Sequence, residues 1–369
     1  MRRVLVLSHT YLQPAHRGKL RALAARGLEV TVAIPQRWRE PWFGKPIDVA
    51  WERQGGLEVF PLPARGTGKG DITKLKYGYG ALKALLRDRR PDLVQLEEEP
   101  GTAAARQVFS AARRLGIPLV LFTHQNVEPQ LDWWLAWKQS RMLRKLTGLI
   151  AGSDLAGTLV RRSAPNLPIA VIPQLGALAP HEPQHVPHEG LALGFVGRLV
   201  PQKGVDNLLQ ALALQRGLKW RLTIVGDGPE RERLETLASA LRLAARIRWT
   251  GGLPAEQIAS LWPALDVLVM PSNASNEWRE ANGQILMEAM ANEVAVLGTD
   301  SGVIPELIAD AGVVVPAGDG QAMANALERL SDQATRRTLA QAARARALRL
   351  YSDDAIAERT LQFWQQLVK

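Results

Sequence analysis

Short apolar runs alternate with amphipathic segments along the whole chain. In the first half the runs that predict strands are Val4–Leu7, Val30–Ile34, Leu57–Leu62, Leu93–Leu96, Leu119–Phe122, Leu149–Ala151 and Ala170–Ile172. In the second half they are Leu193–Val196, Leu222–Val225, Ile247–Trp249, Val267–Met270, Val294–Leu297 and Val313–Val315. Alternating strands and helices are typical of parallel sheets that are covered by helices on both faces.

The segments between these runs repeat their apolar residues at helical spacing. They predict helices that include Lys19–Arg26, Leu75–Asp88, Ala103–Leu115, Trp134–Leu146, Val205–Ala213, Glu230–Leu241 and Gln284–Ala291. After Ala342 the pattern is helical to the end, where Trp364 and Leu367 give the last segment an apolar face to bury.

One proline-rich stretch interrupts the periodicity and divides the chain. Three prolines lie between Leu178 and Gly190, which is typical of a linker. We expect a first domain at 1–178, a linker at 179–190, a second domain at 191–350 and a C-terminal helix at 351–369 that packs toward the first domain. The fold class expected is α/β, with two doubly wound Rossmann-like domains and a cleft between them. Three histidines in the linker could imitate a metal cluster, although an exposed polar hinge is the preferred interpretation.

Composition narrows the functional classes. The 369 residues include no cysteine, so disulfides, thiol nucleophiles and cysteine-ligated metals are excluded. The N-terminus turns polar too soon for a signal peptide, and no apolar run approaches the roughly 20 residues that span a bilayer. We therefore expect a cytoplasmic protein, at most peripheral on the inner face of the cytoplasmic membrane.

The net charge of +10 is unevenly distributed. Residues 1–180 hold 27 Lys and Arg against 14 Asp and Glu, a balance of +13, whereas residues 181–369 have a balance of −3. A basic first half suggests an anionic partner such as a membrane surface, nucleic acid or phosphorylated substrate, or else a solvated basic surface.

A pair of carboxylates in the second half is the most informative chemical feature. Glu280 lies in a loop after the apolar run Val267–Met270, and Glu288 lies one turn into the helix that follows Gly283. This strand–loop–helix order places both acids at the carboxyl end of a strand, where open α/β sheets bind ligands. Gly283 allows close backbone approach, and the N–H groups of Gln284 and Ile285 would offer a phosphate site.

Two further loops in the second half suit a phosphorylated ligand. Arg198 and Lys203 lie in the first strand-to-helix turn, where cations next to a helix N-terminus suit a diphosphate. Gly226 lies in the tight turn Val225–Pro229, which lets a ligand approach the backbone.

Together these segments resemble the retaining GT-B glycosyltransferases of glycosyltransferase family 4, also called glycosyl transferases group 1. The family motifs G-R-x-x-x-x-K-G, V-G-x-G-P and E-x-F-G-x-x-x-x-E-A-M-A match Gly197–Gly204, Val225–Pro229 and Glu280–Ala291 in the same order. The resemblance covers the second half closely and the first half in outline.

The resemblance implies a role for each matching residue. Arg198 and Lys203 would bind the donor diphosphate, Glu288 the nucleotide ribose, and Glu280 the sugar near its reacting face. The backbone at 283–285 would meet the sugar or the distal phosphate. The first domain would hold the acceptor, no cofactor or metal is expected, and fixed cations would stabilise the departing phosphate.

The chain departs from the family pattern at three places, one of which is Asn292–Val294, where the family usually has a glycine after the second glutamate. Asn282 replaces the phenylalanine of E-x-F-G, and the Gly-Gly loop after the first strand is replaced by His9–Gly18, which leaves acceptor binding undetermined. His124, at the end of a strand, resembles the family histidine near the reacting sugar, with a structural histidine as the alternative. The acidic run Glu97–Pro100 ends the preceding strand and either faces the cleft or forms a solvated turn.

Three tryptophans in the first half have two interpretations. Trp133, Trp134 and Trp137 lie at helical spacing and are followed by Lys and Arg residues. Core packing is the default, and a membrane-facing or lipid-acceptor surface is the alternative.

The function expected is therefore retaining transfer of a sugar from a nucleotide-sugar donor to a hydroxyl acceptor that is a glycan, lipid-linked or a small molecule. Synthesis of cell-surface glycan, polysaccharide or glycolipid is the expected setting, and no nucleic-acid partner is expected. The alternatives are a sugar-nucleotide epimerase or phosphorylase of the same fold, or a non-catalytic polyanion binder.

Overall fold

The computed structural model describes residues 1–39, 46–66 and 72–368, and the chain divides into two compact units. The first unit contains Met1–Gly176 and the C-terminal segment that begins at Asp353. The second unit contains Ala177–Ser352.

The main sheet of the first unit is parallel except at one edge. Its strand order is β12-β11-β10-β9-β1-β2-β6-β5, and only β5 pairs antiparallel with its neighbour. The strands of this unit are β1 (Arg3–Leu7), β2 (Glu29–Pro35), β3 (Arg37–Arg39), β4 (Pro46–Asp48), β5 (Glu52–Gln54), β6 (Leu57–Leu62), β7 (Ala64–Arg65), β8 (Lys76–Tyr77), β9 (Leu93–Leu96), β10 (Leu119–Thr123), β11 (Gly148–Ala151) and β12 (Ile169–Val171). The sheet order reverses between β1 and β9, which makes the unit doubly wound.

The helices of the first unit are α1 (Gly18–Ala25), α2 (Tyr79–Arg89), α3 (Ala103–Arg114), α4 (Trp133–Leu143), α5 (Asp154–Ser163) and, from the C-terminal segment, α13 (Asp353–Leu367). The N-termini of α3 and α5 are capped by Thr102 and Ser153, whose hydroxyls accept an N–H of the first turn. Trp364 of α13 is fully buried in this core, and its Nε1 donates to Gln95 Oε1 at 2.8 Å. This bond satisfies a polar side chain that the interior of β9 would otherwise bury without a partner.

The second unit has one parallel sheet in the strand order β15-β14-β13-β16-β17-β18. Its strands are β13 (Leu191–Val196), β14 (Trp220–Val225), β15 (Ile247–Gly251), β16 (Val267–Met270), β17 (Ala295–Thr299) and β18 (Val313–Val315). Numbered within the unit, this is the order 3-2-1-4-5-6 of Rossmann dinucleotide-binding sheets. The expected α/β class with two Rossmann-like units is thus confirmed.

The helices of the second unit cover both faces of this sheet and give two apolar cores. They are α6 (Val205–Leu214), α7 (Arg231–Ala240), α8 (Ala255–Ala259), α9 (Gln284–Ala291), α10 (Ile304–Ile308), α11 (Gly320–Ser331) and α12 (Gln333–Leu350). Strand β16 is buried along its whole length, as expected for a central strand of a parallel sheet.

Two local predictions are wrong, and several short strands were not predicted. The helix expected from Leu75 begins only at Tyr79, because Lys76–Tyr77 pairs with Ala64–Arg65 as a short antiparallel ribbon. The first half also contains short strands that the apolar pattern did not indicate, such as β5, because three exposed residues give no burial signal.

The third difference is a break in the C-terminal helix. Helix α12 ends at Leu350 and α13 begins at Asp353, where a continuous helix was expected. The Tyr351 carbonyl accepts the Ala177 N–H at 2.7 Å, a sheet-like contact that takes Tyr351 out of the helical path. Across the part of the chain that the structure describes, no helix is long and apolar enough to span a bilayer.

Candidate functional site

The second sheet has its topological switch point between β13 and β16. These strands pair in parallel, so their carboxyl ends, Val196 and Met270, lie at the same edge of the sheet. Open α/β sheets bind ligands at this position because adjacent loops turn away to opposite faces and leave a crevice. The motifs that follow β13 and β16 therefore meet there.

A buried ion pair occupies this position. Lys203 Nζ lies 2.5 Å from Glu280 Oε2, and the Ser272 hydroxyl donates to the same oxygen at 2.9 Å. Glu280 is only 4% exposed and the Lys203 side chain 14%, so both charges are largely removed from water. Lys203 Nζ also lies 5.9 Å from the centroid of the Trp278 ring. The structure thus brings together two of the residues predicted from separate motifs.

The loop that carries Glu280 is fixed through its backbone. The Glu280 N–H donates to Ser301 Oγ at 3.2 Å, and the Glu280 carbonyl accepts the Val303 N–H at 2.9 Å. Gly302 has a φ of +56°, and a Cβ there would lie 2.0 Å from the Glu280 carbonyl oxygen. A glycine is therefore required for the segment after β17 to hold the acidic loop this closely.

Gly204 plays a similar part for Lys203. It ends the short turn Pro201–Lys203 with a φ of +62°, and a Cβ there would lie 2.0 Å from the Pro271 carbonyl oxygen. The turn after β13 consequently packs directly on the end of β16. This close approach is what carries Lys203 to Glu280.

The other predicted cation and the second glycine turn lie at the same sheet edge. Arg198 lies two residues after the end of β13 and is exposed. Gly226 follows β14, with a φ of +132°, and a Cβ there would lie 1.8 Å from the Gly197 carbonyl oxygen. Arg198, an exposed cation, therefore lies at the edge of the sheet where the crevice opens, which suits it to a phosphorylated ligand.

Glu288 lies on α9, where the sequence placed it. Its carboxylate is partly buried and accepts the Gln284 side-chain amide at 3.1 Å. The helix start differs from expectation, because the Gln284 backbone N–H donates to Asn282 Oδ1 at 3.0 Å and is already satisfied. A Cβ on Gly283 would meet the Leu307 side chain at 2.0 Å, so this glycine is also needed for packing against α10.

Ile285, the remaining residue predicted at this helix start, occupies the first turn of α9 and is partly buried. Its backbone N–H remains a predicted contact. A phosphate at this helix start would compete with the Asn282 carboxamide for the Gln284 N–H.

The first unit has a second polar cluster at its own switch point. Glu97 follows β9 and has a fully buried carboxylate, whose Oε1 accepts Lys19 Nζ at 2.8 Å and the Tyr11 hydroxyl at 3.0 Å. Gln95 donates to the same oxygen at 2.6 Å, and Gln174 donates to Oε2 at 3.0 Å. The acidic run is therefore not a solvated turn, because this carboxylate belongs to a dry hydrogen-bonded network. Burial, followed by the Glu97 charge, raises the pKa of Tyr11 well above its usual value.

His124 is attached to this network by one ring nitrogen. Gln174 uses its amide N–H groups on Thr10 and Glu97, so its oxygen accepts from His124 Nε2 at 3.0 Å. This assigns the Nε2-protonated tautomer to His124. The His124 backbone N–H donates to Glu99 at 2.8 Å, and burial is the main cause that raises the pKa of Glu99. His124 thus lies at the sheet edge, where the sequence predicted it.

Sequence reasoning missed a histidine–carboxylate pair in the same place. His9 Nδ1 lies 2.9 Å from Glu98 Oε1, whose side chain is fully buried, and the His9 ring stacks on Trp38 with centroids 5.1 Å apart. The available signal was the departure of the loop at His9–Gly18 from the Gly-Gly pattern. The pairing itself joins residues 89 positions apart, which no local pattern indicates.

The tryptophans of α4 are exposed, and the core-packing interpretation is wrong for them. Their exposed fractions are 82% for Trp133, 42% for Trp134 and 55% for Trp137. The residues of α4 that pack inward are Met142 and Leu143. Among the residues that the structure describes, no group of three His, Asp or Glu side chains is arranged to hold a metal ion.

Each half of the chain matches a known protein family. Residues 181–346 match the family of glycosyl transferases group 1, and residues 14–174 match the glycosyl transferase 4-like domain. The alpha-D-kanosaminyltransferase of Streptomyces kanamyceticus is 28% identical over 86% of this chain and 89% of its own length. The 2-deoxystreptamine glucosyltransferase of the same organism is 30% identical over 62% of this chain and 67% of its own length.

Solved structures share the fold. The sucrose-phosphate synthase of Thermosynechococcus elongatus superposes with a TM-score of 0.77 at 22% identity, covering 100% of this chain and 99% of its own. The Anabaena protein HepE, solved with UDP and glucose, superposes with a TM-score of 0.71 at 18% identity, covering 99% of this chain and 100% of its own. This chain therefore belongs to the glycosyl transferases group 1 and has the GT-B fold.

Proposed function

We propose that this protein is a retaining glycosyltransferase that moves a hexose from a nucleotide-sugar donor to a hydroxyl acceptor, in the synthesis of cell-surface glycan, polysaccharide or glycolipid. The observation that carries the proposal is the contact of Lys203, Glu280 and Ser272 at the switch point of the second sheet. A cation and a carboxylate held together in a crevice match the two charges that a nucleotide sugar develops as its glycosidic bond breaks.

The leaving group determines what the cations do. When the bond between the sugar and the nucleoside diphosphate breaks, negative charge grows on the departing phosphate. Lys203 and Arg198, one largely buried and one exposed, would stabilise that charge without reorganisation. We propose that these two side chains suffice and that no divalent metal or other cofactor takes part.

The carboxylates would act at the two ends of the donor. A sugar that loses its leaving group gains oxocarbenium character, which a nearby carboxylate such as Glu280 stabilises. Glu288 lies one helical turn from the start of α9 and would accept hydrogen bonds from the ribose hydroxyls. One donor to its carboxylate, the Gln284 side-chain amide, is neutral and could be replaced by a ribose hydroxyl.

The acceptor would bind at the switch point of the first unit. His124 and His9 lie at this edge, each held by a hydrogen bond to a buried residue. The loop after β1 departs from the family pattern here, so the acceptor class would be decided by this unit. Sugar transfer is favoured over a non-catalytic polyanion binder by family membership, and over an epimerase or phosphorylase by the transferase names of the relatives.

Two variants with different defects test the donor site. Glu288→Ala should weaken binding of UDP, GDP or ADP, whichever stabilises the wild type in a thermal-unfolding screen; a ligand at 100 times its Kd adds about 2.7 kcal/mol. Glu280→Gln should retain nucleotide binding and lose turnover. Glu328→Ala, which removes an exposed carboxylate on α11, is the matched control.

The anomeric configuration of the product, measured by NMR, tests the retaining mechanism separately from sugar transfer itself. An α-linked product from an α-linked donor supports retention. Inversion would refute the retaining mechanism while leaving sugar transfer intact, and unchanged nucleotide affinity in Glu288→Ala would refute the assignment of the ribose contact.

A further inference from the structure

Helix α4 presents three indole rings to solvent on one side of the first unit. Trp133 and Trp137 are one helical turn apart, and Trp134 lies beside them. Leaving a large apolar side chain in water is unfavourable, because full burial of such a side chain would stabilise the protein by about 1.5–3 kcal/mol. A cluster of this kind marks an interaction surface.

Basic side chains hold positions directly against these rings. Lys138 Nζ lies 4.3 Å from the Trp134 ring centroid, and the Arg141 guanidinium lies 5.3 Å from that of Trp137. Each cation follows its tryptophan by four residues, so the rings and the charges share one helical face. Indole rings with adjacent cations are characteristic of the interface between lipid headgroups and acyl chains.

A cavity of about 540 Å³ opens between α3 and α4 beside this face. Part of its wall is apolar, supplied by Phe109, Leu131, Leu135 and Met142. The charged residues of its wall are all cations, namely Arg106, Arg113, Lys138, Arg141 and Lys145. Such a wall fits a ligand that has an anionic group attached to an apolar chain.

Three of these cations, Arg113, Arg141 and Lys145, lie close enough to repel one another. The nearby Arg113 charge, with smaller contributions from desolvation and Arg141, lowers the pKa of Lys145. An anion bound among these groups would relieve that repulsion. The geometry of the cavity and the sign of its charge thus indicate the same ligand.

We propose that the α3–α4 surface, formed by these three tryptophans and five cations, binds an anionic phospholipid bilayer, with a lipid phosphate among the cations and its glycerol and upper acyl chain against the apolar wall. The indole rings insert at headgroup level. A nucleic acid satisfies the cations but not the apolar wall, so the combined chemistry favours the bilayer. This surface would keep the protein on the inner face of the cytoplasmic membrane.

Vesicle co-sedimentation tests the proposal without any measurement of sugar transfer, so it can fail while the proposed function stands. Wild-type protein should sediment with vesicles of phosphatidylglycerol and phosphatidylcholine in equal parts, and not with pure phosphatidylcholine. Binding should fall steeply as salt increases, because interactions of exposed charges are screened beyond about 8–10 Å at physiological ionic strength.

The decisive variant is the triple substitution Arg113→Ser, Arg141→Ser and Lys145→Ser. A basic residue near an anionic leaflet contributes about 1 kcal/mol, a factor of about five, so the partition coefficient should fall on the order of 100-fold. The matched control removes three exposed arginines of the second unit, Arg216, Arg221 and Arg248, and should change it by less than about threefold. Thermal unfolding monitored by circular dichroism verifies that both variants remain folded.

The tryptophans provide a second, independent measurement. Vesicles with brominated acyl chains should quench the fluorescence of wild-type protein, and Trp133→Ser with Trp137→Ser should remove most of that quenching. Equal loss of vesicle binding in both triple variants would overturn the proposal, since net charge alone would then explain it. Binding to short duplex DNA with no binding to anionic vesicles would also overturn it.

Discussion

Replacing Asp353 with asparagine is expected to stabilise the first unit at neutral pH and to have little effect in acid. Asp353 begins α13, and its carboxylate lies between two glycines. A Cβ on Gly18 would be 1.8 Å from Asp353 Oδ2, and a Cβ on Gly176 would be 2.4 Å from Oδ1. This enclosure, followed by the Asp354 charge, raises the pKa of Asp353 from 3.8 to about 6, although Lys19 and Arg21 act in the opposite direction.

The magnitude follows from the difference between the two pKa values. One pKa unit corresponds to about 1.4 kcal/mol, so a rise from 3.8 to about 6 corresponds to about 3 kcal/mol. The N-terminus of α13 favours the anion by up to about 1 kcal/mol, which reduces the expected effect to about 2–3 kcal/mol.

The sign follows from proton linkage. Because the folded-state pKa is raised, the folded protein binds this proton more tightly than the unfolded chain. The stabilising contribution is complete below pH 3.8 and is lost as the pH rises through about 6. Asparagine mimics the neutral acid, so the variant should exceed wild type by about 2–3 kcal/mol near pH 8 and match it in acid.

Native-state hydrogen exchange of the α13 amides measures this free energy locally, which avoids assuming that both units unfold together. Asp310→Asn, which neutralises an exposed carboxylate of the second unit, is the control and should show no pH-dependent gain. A difference between Asp353→Asn and wild type that stays constant from pH 4 to about pH 8 would refute the reasoning.

Two further predictions concern charge in the two polar clusters. Arg198→Ala should lower kcat/KM by an amount that corresponds to about 2–4 kcal/mol of lost transition-state stabilisation. A chelator should leave wild-type turnover unchanged, and a strict requirement for a divalent ion would contradict the proposed role of the cations. Glu97→Gln should destabilise the protein by about 3–5 kcal/mol in urea unfolding, because Lys19 is only 2% exposed and would lose its buried counter-ion. The double variant with Lys19→Met should recover much of that loss, and strictly additive effects would show that the pair is not coupled.

The sequence by itself determined the class of fold and the local placement of the residues that we propose for the donor site. Apolar runs such as Val267–Met270 and Leu93–Leu96 were predicted at their observed bounds, because a central parallel strand is buried on both faces and contains few polar residues. Glu280 and Glu288 could be placed after a strand and on a helix because both relations are local.

Only the tertiary structure decided which of these residues meet. Lys203 and Glu280 are 77 positions apart and come into contact because β13 and β16 are neighbours in the sheet, an order that no local pattern encodes. The His9–Glu98 pair depends in the same way on the pairing of β1 with β9.

Exposure was likewise undetermined by the sequence. Helical spacing placed Trp133 and Trp137 on one face of α4, but periodicity does not state whether a neighbouring element covers that face. The residues of α4 that pack inward are Met142 and Leu143 at its C-terminal end, and the tryptophans at its N-terminal end remain in solvent. Apolar patterning fixes which residues share a surface, and long-range packing decides what that surface touches.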